Sequence, residues 1–170
     1  MVTPSQTRSP DGPESSTLTA LLSCDHEEID RLFDLAQTAP DVGPTGDACR
    51  ALDRIWMRLA VHIRAEHKVV FPVLGETHLD LRPALQFLRE DHDDFMASLA
   101  GVLKTLREPG PDLGSVRAVV AALKVRLESH NTFEEEGVYP LADQLPLAQL
   151  SSILRDVARE LAFLPTRYGP

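Results

Sequence analysis

Hydrophobic residues recur along most of the chain at alternating intervals of three and four, the period of helices with one buried face. Within about residues 45–75 the inward stripe reads Leu52, Ile55, Leu59, His62, Glu66, Val69, Val73. Within about 113–143 it reads Val116, Val120, Leu123, Leu127, His130, Glu134, Val138, Leu141. A third stripe, within about 80–107, runs Leu85, Leu88, His92, Phe95, Leu99, Val102, Leu106, and a fourth, within about 17–38, runs Leu22, His26, Ile29, Phe33. No segment alternates with the two-residue period of a strand. Pro40 to Gly46, Glu108-Pro109-Gly110-Pro111 and Pro146 separate the segments, with Asp80 as the N-cap of the third and a fifth helix at about 147–164. The pattern predicts an all-α fold, an up-down-up-down four-helix bundle with an additional C-terminal helix. It occupies residues 17–165, behind a Ser-, Thr- and Pro-rich tail, residues 1–16, expected to be disordered.

The chain also repeats itself. Asp25-His26-Glu27-Glu28-Ile29 is matched 66 residues later by Asp91-His92-Asp93-Asp94-Phe95. His62-x3-Glu66-His67-x2-Val70-Phe71-Pro72 is matched 68 residues later by His130-x3-Glu134-Glu135-x2-Val138-Tyr139-Pro140. Each half is thus a helical hairpin, and two such hairpins packed about an approximate two-fold axis bring all four long helices to one centre.

Six polar residues occupy inward positions where aliphatic side chains are expected: His26, His62, Glu66, His92, His130 and Glu134. Residues four apart lie about 40° apart around a helix and one turn along it, so each His-x3-Glu pair can aim a nitrogen and a carboxylate at one point. Two carboxylates inside a core repel each other and pay for desolvation, and bound cations relieve both. A buried polar network without metal is the alternative. Mixed nitrogen and oxygen donors with open positions suit iron, manganese less well, while zinc sites are more often mononuclear with three or four ligands. The Glu-x-x-His signature of ferritin-like carboxylate sites is absent.

With these residues in place the sequence resembles the hemerythrin-like family, the HHE cation-binding domains. The pattern His26, His62-x3-Glu66, His92, His130-x3-Glu134, with an aromatic–Pro after each Glu, spans roughly residues 17–145. The resemblance implies a hemerythrin-like bundle enclosing a non-haem di-iron centre. His26, His62, His92 and His130 would be terminal ligands, Glu66 and Glu134 would bridge the two iron ions, and an oxo or hydroxo bridge would complete the site. Two positions depart from the oxygen-carrying hemerythrins. Met96 stands where they have a further histidine, one turn after His92, and Glu135, not Glu134, stands at their spacing for the last carboxylate. Internal symmetry favours Glu134, with Glu135 as the alternative. A thioether is a poor ligand for hard iron, which assigns Met96 to a pocket lining.

Further residues stay open. On a regular helix His67 lies about 140° from His62, so it is either a rim residue or an extra ligand or proton donor behind the ligands. Asp25 and Asp91 either orient ligand imidazoles or are polar residues at the bundle edge. Phe71 and Tyr139 close the bundle as packing residues, Tyr139 alternatively serving as a redox-active neighbour. Trp56 is expected in the core and His78 in solvent.

A formal net charge of −9 argues against nucleic acid and anionic membrane surfaces as partners. Neither an apolar span nor a leader-like run is present, and Cys24 and Cys49 form no disulfide framework, so a reducing cytoplasm is expected. Phosphate-binding loops and Ser-His-Asp arrangements are absent. The expected partners are therefore small molecules, O2, peroxide or nitric oxide, acted on by redox chemistry at iron, catalase-like peroxide removal included. Iron or oxygen sensing, iron storage and oxygen carriage are the non-catalytic alternatives.

Overall fold

Groups at the start of the first helix find partners both locally and from a segment distant in the sequence. Helix α1 (Leu18–Thr38) begins where the Thr17 hydroxyl accepts the Ala20 N–H at 3.0 Å. The Asp143 carboxylate, from the other end of the chain, accepts the Leu18 N–H at 2.5 Å and the Thr19 hydroxyl at 2.6 Å. The molecule, analysed as a computed structural model, is described for residues 17–39 and 46–163. The expected tail, residues 1–16, lies outside the described residues, as do residues 164 and 165 of the expected domain.

The remaining helices are α2 (Asp47–Ala65), α3 (Phe71–Thr77), α4 (Arg82–Arg107), α5 (Leu113–Gly137), α6 (Tyr139–Asp143) and α7 (Leu147–Leu161). Asp112 caps α5 by accepting the N–H groups of Gly114 and Ser115. Gly110 turns the preceding loop with φ +68°, a left-handed conformation that suits glycine. The third helix begins one residue later than Asp80 as N-cap suggests, because Leu79–Leu81 form a 3-10 turn and Leu81 occupies the cap position. Helices α1, α2, α4 and α5 form the four-helix bundle, each packing on two neighbours: α1 on α2 and α5, and α4 on α2 and α5. The additional C-terminal helix α7 lies against α1 and α2.

The long helix expected over 45–75 is interrupted. Pro72 has no N–H for the carbonyl four residues back and its ring crowds that carbonyl. The chain answers with a π-helical turn over Glu66–Val70, in which the Phe71 N–H donates to the Glu66 carbonyl five residues earlier. One extra residue per turn moves the inward stripe on by one position. Val70, Phe71 and Leu74 are therefore buried, while Val69 and Val73, expected inward, are only partly so. Pro140 has a comparable effect in the second half, ending α5 at Gly137 and starting the short α6.

The apolar side chains form two clusters separated by one polar layer. One cluster holds Ile29, Phe33, Leu59, Phe95, Leu99 and Leu127. The other holds Leu22, Val70, Phe71, Leu88, Val138 and Val157, the last contributed by α7. Each inward histidine falls between them in sequence, as His92 does between Leu88 and Phe95. Leu88 is fully buried, so Leu88→Ala is expected to cost about 2–5 kcal/mol, read as a lowered urea unfolding midpoint with unchanged slope.

Candidate metal centre

The polar layer gathers all six inward residues expected from the sequence. His26, His62, Glu66, His92, His130 and Glu134 are buried, Glu66 and Glu134 completely. The four imidazoles pair, with His26 Nε2 3.0 Å from His62 Nε2 and His92 Nε2 2.8 Å from His130 Nε2. Glu134 spans the two pairs, its Oε2 3.6 Å from His26 Nε2 and its Oε1 3.2 Å from His130 Nε2. Glu66 does the same from the opposite side, its Oε2 3.6 Å from His62 Nε2 and 3.4 Å from His92 Nε2.

Every outward ring nitrogen is held. His62 Nδ1 lies 2.8 Å from Asp25 Oδ2 and His130 Nδ1 lies 2.8 Å from Asp91 Oδ2. Arg58 pairs with the other oxygen of Asp25, and Arg126 with the other oxygen of Asp91. His26 Nδ1 rests on Glu135 Oε1 at 2.7 Å, and His92 Nδ1 on His67 Nε2 at 2.9 Å. Of the two readings open for Asp25 and Asp91, orientation of the imidazoles fits this geometry. The π-helical turn carries His67 to α4, where it meets the back of His92. Glu135 touches the outer nitrogen of His26, whereas Glu134 faces the inner ones.

Arg58 and Arg126 are not picked out by the inward stripes, because long cationic side chains four residues before a histidine read as solvated polar positions. The offset of 68 that relates His62 to His130 also relates Arg58 to Arg126, and that repeat is the signal that identifies them. Met96 sits partly exposed against the apolar cluster below the layer, as does Trp56. His78 lies at the end of α3, half-buried, beside the Thr77 hydroxyl.

The repeat breaks its symmetry at the aromatic positions. Phe71 stacks on His92 with centroids 6.0 Å apart. Its counterpart Tyr139 is fully buried and sends its hydroxyl into the layer, 2.6 Å from Glu66 Oε1 and 3.0 Å from Glu134 Oε2. Burial, and then the carboxylates of Glu134 and Glu66, hold this phenol well above its ordinary pKa, so it stays protonated.

The donor set fits cations. A carboxylate behind Nδ1 fixes the proton there and leaves the Nε2 lone pair facing inward. In the His26–His62 pair two such lone pairs therefore face each other at 3.0 Å. Protonation of His26 is strongly opposed: burial, then His62 and His130, push its pKa down to about 2. Burial and then Glu134 drive the Glu66 carboxyl well above the usual carboxylate range. Glu66 Oε2 and Glu134 Oε1 are buried without hydrogen-bond partners, an expensive arrangement unless a cation lies between them. Among the described residues two groups have the spacing to hold an ion, His26–His62–Glu134 and His92–His130–Glu134, sharing Glu134.

An antiparallel helical bundle with a buried layer of histidines and carboxylates defines a class of cation-binding helical domain. The hemerythrin family, described as the hemerythrin HHE cation-binding domain, matches residues 17–142, and the chain belongs to it. No curated protein and no solved structure is significantly similar to the chain. Among the described residues no helix is long and apolar enough to cross a membrane.

The carboxylates behind the histidines predict a measurable effect. Asp25→Ala leaves the His62 N–H and Arg58 without their shared acceptor and is expected to weaken metal retention about 10–100-fold, measured by chelator competition. Asp25→Asn, which keeps an acceptor oxygen without the charge, should fall between.

Proposed function

We propose that the centre holds two iron ions, one at each histidine pair, with His26 and His62 on one and His92 and His130 on the other. Glu66 and Glu134 lie across both positions, and the protein performs redox chemistry on O2 or peroxide, catalase-like removal of peroxide included. The observation carrying this reading is the set of inward Nε2 lone pairs facing two carboxylate oxygens that have no hydrogen-bond partner. Four imidazole nitrogens with carboxylate oxygens across both positions make a mixed donor set that suits iron. Iron bound there supplies reversible one-electron chemistry towards oxygen and its reduced forms.

The chain's own residues supply the rest. Asp25, Asp91, Glu135 and His67 fix the four rings with Nε2 inward. The two apolar clusters keep bulk water from the layer on both sides. The Tyr139 hydroxyl donates to Glu66 Oε1 at 2.6 Å and holds its proton in reach of whatever small molecule enters beside that carboxylate. Disproportionation of peroxide needs no external reductant, which suits a centre whose six donors are buried.

Metal analysis should return about two irons per chain. Rapid mixing of the ferrous protein with O2, then with peroxide, should change the visible spectrum, and oxygen evolution from peroxide marks the catalase-like activity. A reversible, oxygen-dependent spectrum without turnover would point to a carrier. Indifference to both reagents sinks the redox reading.

A further inference from the structure

The two halves of the layer match closely on the inside and differ on the outside. Glu66 and Glu134 each reach both histidine pairs, at 3.2–3.6 Å. The Asp–Arg supports behind His62 and His130 are equivalent. The supports behind the other two histidines are not. Glu135, a carboxylate, accepts from His26 Nδ1 at 2.7 Å, while the equivalent position in the first repeat is His67, whose Nε2 meets His92 Nδ1 at 2.9 Å.

With Nε2 of His92 turned inward, its Nδ1–H donates and His67 must accept, so His67 is a neutral support. A carboxylate support makes a charge-assisted hydrogen bond, roughly twice as strong as a neutral one, and raises the donor strength of the imidazole it holds. The surroundings reinforce the difference. The groove over His26 is lined by Glu27, Asp30, Glu128 and Glu135. On the other side Arg89 lies against the His67 carbonyl at 3.5 Å and over the ring of Phe71.

We infer that the two cation positions are unequal: the His26–His62 position, backed by two carboxylates, holds its ion more tightly than the His92–His130 position, backed by one carboxylate and one imidazole. Glu135 and His67 are the positioning residues that set the difference. The inference rests on the two-ion reading above.

Chelator extraction from the iron-loaded full chain tests it. The wild type should release its metal in two phases of equal amplitude, with rates about tenfold or more apart. Glu135→Gln, a change at a partly exposed side chain, should accelerate the slow phase about tenfold and leave the fast phase alone. His67→Glu, which restores the repeat, should slow the fast phase until the two merge. Mössbauer spectra of the loaded proteins give a readout independent of release: two signals in the wild type, one of which moves in Glu135→Gln. General loosening of the fold would instead accelerate both phases. Two irons leaving in a single phase, or equal acceleration of both phases by Glu135→Gln, would overturn the inference. A wild-type content of one iron per chain would overturn the two-ion reading itself, and the metal count alone reveals it.

Discussion

Glu134→Ala is expected to leave the purified protein essentially without stoichiometric metal, with affinity lowered by more than about 100-fold. The floor for that figure is the effect usually seen when a group merely supporting a ligand is removed. Glu134 is the one residue common to both candidate ion positions, and its two oxygens face opposite histidine pairs. Glu66→Ala should lower metal content as well, because Glu66 Oε2 lies within 3.6 Å of one histidine of each pair. Stability should move the other way. In metal-free protein the two buried carboxyls raise each other's cost, as the upward displacement of the Glu66 carboxyl by burial and by Glu134 records. Glu66→Gln removes one of those ionisable carboxyls but keeps an acceptor for the Tyr139 hydroxyl, and should stabilise the metal-free form by about 1–3 kcal/mol. Urea unfolding after dialysis measures it. A buried polar network without metal predicts loss of stability and no change in metal content. Full metal content in both alanine variants would exclude the bridging role.

Removal of the metal from the wild type is the second large effect. Binding to the folded state alone stabilises by about 4 kcal/mol when free metal stands at a thousand times Kd. For a domain of this size, that corresponds to a fall in Tm of about 10 °C on chelation, restored by adding ferrous iron. The scan should be made with and without chelator at one protein concentration. An unchanged Tm would mean that ion binding and folding are uncoupled, contrary to the placement of the six donors between the two apolar clusters.

The helices and most of the site could be read from the sequence because burial acts through period. His92 sits between Leu88 and Phe95 at intervals of four and three, and the structure buries all three. The shift after Glu66 could not be read that way. A regular 3.6-residue period carries Val69 and Val73 inward, whereas relief of the clash at Pro72 through a wider turn is a local backbone event with no hydrophobic signature. His67 suffers the same limitation: the angle of about 140° from His62 holds for a regular helix, and the widened turn makes it irrelevant. Arg58 and Arg126 were hidden for a different reason. Their guanidinium groups emerge towards solvent, and only the carboxylates they grip, Asp25 and Asp91, belong to the buried layer.

The internal repeat has a consequence for how such a centre can be specialised. Each hairpin carries two histidines and one glutamate of the layer: His26, His62 and Glu66 in the first, His92, His130 and Glu134 in the second. A chain of half the length, paired with a copy of itself about a two-fold axis, would already supply six donors, but every substitution in it would appear twice. Joining the halves covalently removes that constraint. Tyr139 can enter the layer while Phe71 only covers it, and Glu135 can back His26 while His67 backs His92. Single-chain inheritance of both halves is thus what allows one side of the centre to evolve independently of the other.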